Sequence, residues 1–101
     1  MSEIIFEYNG VTQSDALETY TKNKLERIFN RFEFVHRADV FFKTENTSSD
    51  ETGMIAGIRL SAPGPRLFAE SSKDEFQPAV AECVDELLKQ LEKRKASMQT
   101  Y

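Results

Sequence analysis

With 101 residues, 40% of them apolar and 30% charged, the chain is one domain's worth of polypeptide with enough apolar mass for a single core. Thirteen Lys and Arg against seventeen Asp and Glu give a formal net charge of −4, which taken whole argues against a general polyanion binder. No stretch approaches 18 consecutive apolar residues, and Met1-Ser2-Glu3 lacks the basic flank and apolar centre of a signal peptide, so a cytoplasmic protein is expected.

In chain order, residues 3–8 are rich in β-formers, with Ile4, Phe6 and Tyr8 on one side of a strand that Asn9-Gly10 ends. Thr12-Gln13-Ser14-Asp15 offers a hydroxyl and, three residues on, an acid, the pattern of a capped helix start. Leu17, Tyr20, Leu25, Ile28 and Phe32 then fall on one side of a first helix spanning about residues 13–32. Residues 35–45 alternate, with Ala38, Val40 and Phe42 opposite Asp39, Phe41 and Lys43, and the polar run 46–53 reads as a loop. A third strand follows, with Met54, Ala56, Ile58 and Leu60 opposite Ile55, Gly57, Arg59 and Ser61. Ala62-Pro63-Gly64-Pro65 carries the type II turn signature and leads to a fourth strand through Leu67, Ala69 and Ser71.

A second helix begins between Ser72 and Gln77, with capping options Ser72…Glu75 and Asp74…Gln77; Pro78 belongs in a first turn and favours the later start. Phe76, Ala79, Val80, Cys83, Val84, Leu87, Leu88 and Leu91 recur at three and four residues without a miss. Burying each Val, Leu or Phe of that stripe contributes roughly 1.5–3 kcal/mol, so this helix should anchor the core. The order β-α-β-β-β-α, with one apolar stripe per helix, predicts an α+β two-layer sandwich: a four-stranded sheet with both helices on one face.

Candidate chemistry is sparse. Cys83 is alone and inside the helical stripe, which predicts a core thiol. His36 is also alone, at a helix-to-strand junction, and is expected to be exposed or locally hydrogen-bonded. Asp50-Glu51 and Asp85-Glu86 are neighbours in sequence, and the latter pair points to different sides of its helix. There is no phosphate-binding glycine motif and no nucleophile elbow, so no enzyme, cofactor or metal site is expected.

The net charge is unevenly spread. Lys22, Lys24, Arg27 and Arg31 against Glu26 leave +3 in residues 22–31, and Lys89, Lys93, Arg94 and Lys95 against Glu92 leave +3 in residues 89–95. The rest of the chain therefore stands at −10. Lys22 has Glu18 four residues before it, and Lys89 has Asp85 and Glu86 at helical spacing, so local pairing explains both. Lys24, Arg27 and Arg31 lie within about a 60° sector beside the apolar stripe, and no acid stands three or four residues from any of them. An anionic partner would relieve such a row. Lys93 and Arg94 likewise lack acids at helical spacing, Lys95 can reach back to Glu92, and a helix C-terminus favours all three cations. Aromatic residues do not interleave with these cations, which points to phosphate and shape recognition in preference to base reading.

Several strings then match a known family: Ala16-Leu17…Tyr20…Lys24-Leu25-Glu26-Arg27-Ile28…Phe32, Leu67-Phe68-Ala69, and Phe76…Ala79-Val80…Val84-Asp85-Glu86-Leu87-Leu88-Lys89-Gln90-Leu91…Lys93-Arg94-Lys95. Together, through about residues 3–96, the chain resembles the bacterial ribosome hibernation-promoting factors. That family includes the ribosome-associated inhibitor and is also filed as sigma-54 modulation proteins. The resemblance implies a fold like a double-stranded-RNA-binding domain and a place in the small ribosomal subunit's decoding channel, where messenger and transfer RNA otherwise sit. It implies 16S ribosomal RNA as the partner, reversible inhibition of translation in idle or stressed cells, and no part for DNA or a membrane. The family's first-helix lysines fall on Lys24 and Arg27, its second-helix arginine on Lys89, and its terminal basic cluster on Lys93, Arg94 and Lys95; Arg31 is added from the unpaired row. Glu86 stands where the family often has Lys, and Ala81 where it often has Asp. A short form is implied, one domain over 1–101 without the C-terminal dimerisation domain of long members, and a monomer off the ribosome. The rival expectation is a protein-interaction module that self-associates or binds a partner through an open sheet face carrying Phe41, Ile55 and Phe68.

Overall fold

The computed structural model describes residues 2–98. The elements are β1 (Glu3–Asn9), α1 (Asp15–Arg31), β2 (Arg37–Thr44), β3 (Met54–Ser61), β4 (Leu67–Lys73) and α2 (Phe76–Met98), in the expected β-α-β-β-β-α order. They form one sheet of order β1-β2-β3-β4, with β1 parallel to β2 and the other two pairs antiparallel. The parallel pair is joined through α1, as a parallel connection requires.

The apolar side of each strand and the stripes of both helices meet in a single core. Ala38, Val40, Phe42, Ala56, Ile58, Leu60, Leu67 and Ala69 supply the sheet side. Leu17, Leu25, Ile28 and Phe32 of the first helical segment, with Ala79, Val80, Cys83, Val84, Leu87 and Leu91 of α2, supply the other. One core position departs from the periodicity: Thr21 is fully buried where Tyr20 was expected, and Tyr20 is half-buried at the rim. Thr21 is tolerated there because its hydroxyl donates to Leu17 O at 2.8 Å, so no polar group goes unsatisfied.

Helix boundaries also shift for local reasons. Ser14, in extended backbone, is the cap of α1, its Oγ accepting from Leu17 N at 3.2 Å. Ser72 is not a cap: β4 continues through it, and its Oγ accepts from Gly53 N at 2.8 Å. α2 accordingly begins at Phe76, with Pro78 in its first turn. Gly64 adopts φ +99°, the sign that the third position of a type II turn requires.

This topology sorts the loops onto two ends. β1, β2 and β4 share one direction, so both helices start from the same end of the sheet and run back together. The end holding the helix starts carries Asp15, Glu18, Glu45, Asp50, Glu51, Asp74 and Glu75 against Lys43 and Lys73. The end holding the helix C-termini and the β3–β4 turn carries Arg31, Arg37, Arg66, Lys93, Arg94 and Lys95 against Glu3, Glu33 and Glu92. The charge asymmetry noted along the sequence is therefore an asymmetry along the molecule, whose longest extent is 49 Å.

Candidate nucleic-acid interface

Packing turns the basic face of α1 toward α2. Lys24 and Arg31 are seven residues apart and therefore almost eclipsed, with Arg27 about 40° further round the helix. Arg31 forms an ion pair with Glu92 of α2, and its guanidinium carbon lies 5.2 Å from the Phe32 ring centroid. Lys95 of α2 approaches the same ring, its Nζ at 6.0 Å. Lys24 is half-buried with its Nζ 5.5 Å from the Tyr20 ring centroid. Arg27 is exposed, and among the described residues no carboxylate or hydrogen-bond partner engages its side chain. Arg31 and Lys95 thus meet in the groove between the helices, with Lys24 and Arg27 along the same flank of α1, and aromatic rings back three of the four.

Arg31 corrects the expectation of a wholly unpaired row. No acid stands at helical spacing from it, but Glu92 reaches it from 61 positions away. Only the packing of parallel helices creates that pair. Both side chains stay more than half exposed, at 56% and 55%, so the pair is worth little and can be exchanged for another anion.

The remaining predicted cations lie elsewhere on α2. Lys89 is exposed on the side toward β4, in a concavity it shares with Glu70, Glu82, Asp85 and Glu86. Glu82 and Glu70 are paired with Lys73 and Lys43, which leaves Asp85 and Glu86 against Lys89, a poor surface for a polyanion. Lys93 is exposed and lines a cleft with the β3–β4 turn. Arg94 is half-buried: its Nη1 donates to Pro63 O at 2.6 Å and its Nη2 to Pro65 O at 2.5 Å. Helical spacing left Arg94 without a partner; a turn 29 to 31 positions away supplies one.

The other candidates take structural roles. Cys83 is buried and donates to Ala56 O at 3.3 Å; burial, with the nearby Glu82 and Glu70 charges, pushes its thiol up to about 12, so it is no nucleophile. His36 is exposed, and its backbone joins β1 to the end of β3 through Glu3 N and Ser61 O. Glu82 is held below the usual carboxylate range by the Lys73 ammonium at 2.8 Å and by the Ser71 hydroxyl. Among the described residues no group of His, Cys, Asp and Glu is arranged to hold a metal ion, and no helix is long and apolar enough to cross a membrane.

The outer sheet face is less open than expected. Phe41 and Phe68 stack at 6.2 Å between centroids, and Phe41 lies across Gly57, where a Cβ would overlap its ring. Ile55 is on this face but only 5% exposed, which removes it as a contact residue. Ile5 and Phe68 remain exposed, among ion pairs of Arg37 with Asp39 and Glu3 and of Lys43 with Glu70.

Comparison with known proteins gives three findings. The family model described as sigma 54 modulation protein / S30EA ribosomal protein matches residues 4–99. The structure of a ribosomal subunit interface protein from Coxiella burnetii superposes with a TM-score of 0.77 at 26% identity, covering 93% of this chain and 98% of that one. The N-terminal domain of Protein Y from Thermus thermophilus superposes with a TM-score of 0.69, covering 92% and 98% of the two chains; at 21% identity it shows the shared fold. No curated protein matches the chain.

Proposed function

The chain belongs to the sigma 54 modulation protein / S30EA ribosomal protein family, and from that premise we propose that it is a ribosome hibernation factor. It binds the small subunit in the channel used by messenger and transfer RNA, inhibits translation reversibly and performs no catalysis. One observation carries this reading. Arg31 and Lys95 meet in the groove between the parallel helices at the predominantly cationic end of the molecule, Lys24 and Arg27 continue along the same flank of α1, and the opposite end is predominantly acidic.

That polarity resolves the conflict between a net charge of −4 and an RNA partner. Phosphate attraction acts over about a Debye length, roughly 8 Å at physiological salt, so the local charge governs contact. The acidic end opposes binding in any other orientation. An entire RNA duplex therefore attracts the molecule weakly, whereas a channel that admits one end of it can hold it.

Lys24, Arg27, Arg31 and Lys95 are the proposed phosphate contacts of the groove and its α1 flank, with Lys93 on the adjoining side of α2; Lys89, beside four carboxylates, adds least. Co-sedimentation with purified small subunits across a salt series tests the proposal. With about six phosphates neutralised, log affinity falls against log salt with a slope of roughly −4 to −5. No binding at low salt, or binding indifferent to salt, refutes it.

A further inference from the structure

The β3–β4 turn, residues 62–66, is built more firmly than a connection between antiparallel strands needs. Two prolines flank a glycine at φ +99°, and two carbonyls of the turn converge on one guanidinium, that of Arg94. A planar fork suits two carbonyls at once; an ammonium does not. The fit is close on the far side as well, since a Cβ on Gly64 would stand 2.9 Å from Arg94 Nη1.

Carbonyls satisfy the donors of Arg94 without cancelling its charge. Lys93 and Arg66 line the same cleft, and among the described residues no carboxylate lines it. Arg66 is exposed at the foot of the turn, with no ion pair or hydrogen bond to its side chain among the described residues. Three cations thus face one cleft, and among the described residues no anion lines it to neutralise them. Nothing in the helical charge pattern singles out Arg66, because it lies in neither helix.

We propose that this cleft is a second phosphate-binding element, in which Arg66 and Lys93 grip the RNA backbone and Arg94 is a positioning residue that holds the turn. The inference rests on the reading of the chain as an RNA-binding protein and extends its contact surface from the groove between the helices round the end of α2. A turn already fixed by two prolines and a guanidinium fork loses little conformational freedom on docking.

The test is a double-mutant cycle read by small-subunit binding over a salt series, with hydrogen exchange of the turn amides alongside. Removing one phosphate contact flattens the salt slope by about 0.7–0.9 and weakens binding about five- to eightfold at 0.1 M salt. Arg66→Ala is expected to show that loss with unchanged exchange at the turn. Arg94→Lys keeps the charge, so a direct contact would leave the slope intact. Positioning predicts faster exchange at residues 62–66, a slope flattened as in Arg66→Ala, and little further loss in the double variant. If wild-type protein binds and Arg66→Ala binds equally well, the second element is refuted while the groove stands. An Arg94→Lys variant that matches wild type in both readouts refutes the positioning role. Failure of wild-type protein to bind at all refutes the RNA reading instead.

Discussion

Glu92→Ala should move stability and affinity in opposite directions. Glu92 is the partner of Arg31 across the two helices, and Arg31 must release it to contact a phosphate. Both side chains are more than half exposed, so the pair is worth about 0.2–1 kcal/mol, and Ala is a strong helix former that adds no penalty of its own. Folding stability should therefore fall by about 0.2–1 kcal/mol. In the variant Arg31 has nothing to release, and with RT near 0.59 kcal/mol the same energy raises small-subunit affinity by a factor of about 1.4 to 5. The salt slope should steepen by up to about 0.9 if Arg31 engages a phosphate that it holds only in part in the wild type. Urea unfolding gives the first quantity and co-sedimentation at several salt concentrations the others. If affinity falls together with stability, Arg31 serves as a clasp between α1 and α2, and its assignment as a phosphate contact is wrong.

Charge reversal of Lys24, Arg27 and Arg31 together should weaken small-subunit binding by at least about 100-fold at 0.1 M salt, about five- to eightfold for each lost contact, with the circular dichroism spectrum retained; unchanged binding moves the interface elsewhere. Gly57→Ala should cost about 1–3 kcal/mol, because the new Cβ displaces Phe41 from its stack on Phe68. In a Phe41→Ala background the same substitution should cost far less, and an equal cost in both backgrounds would place the strain in the backbone of β3. Cys83 should resist thiol reagents at pH 8 in the folded protein and react on unfolding. Its folded value of about 12 lies above the ordinary 9.0, so its contribution to stability is complete below pH 9 and is lost as pH rises toward 12. A Cys83 that labels at the rate of an exposed thiol would mean that α2 opens locally from β3.

Element order and the core were legible in the sequence because each rests on periodicity. The α2 stripe from Ala79 to Leu91 is continuous at helical spacing, and the alternation in β2 and β3 put Val40 and Ile58 inward without knowledge of any neighbour. Where a boundary or a core position rested on a hydrogen bond, the pattern misled. Thr21 is polar by composition yet buried by its bond to Leu17 O, and Ser72 has the chemistry of a helix cap but is spent on Gly53.

Charge followed the same division. The sequence alone located the cations of residues 22–31 and 89–95 and, through helical spacing, identified which of them lack a local acid. It could not place the two segments relative to one another, because nothing local says that both helices run in the same direction. That follows from a parallel β1–β2 pair and two antiparallel pairs, which bring Arg31 to Glu92, Lys95 to Phe32 and Arg94 to the β3–β4 turn. Composition determined that this protein has one core and two basic segments. Tertiary structure decided that Arg31, Lys93, Arg94 and Lys95 share one end with Arg66 while the acids of the helix starts and the β2–β3 loop share the other, because only strand direction determines which loops meet.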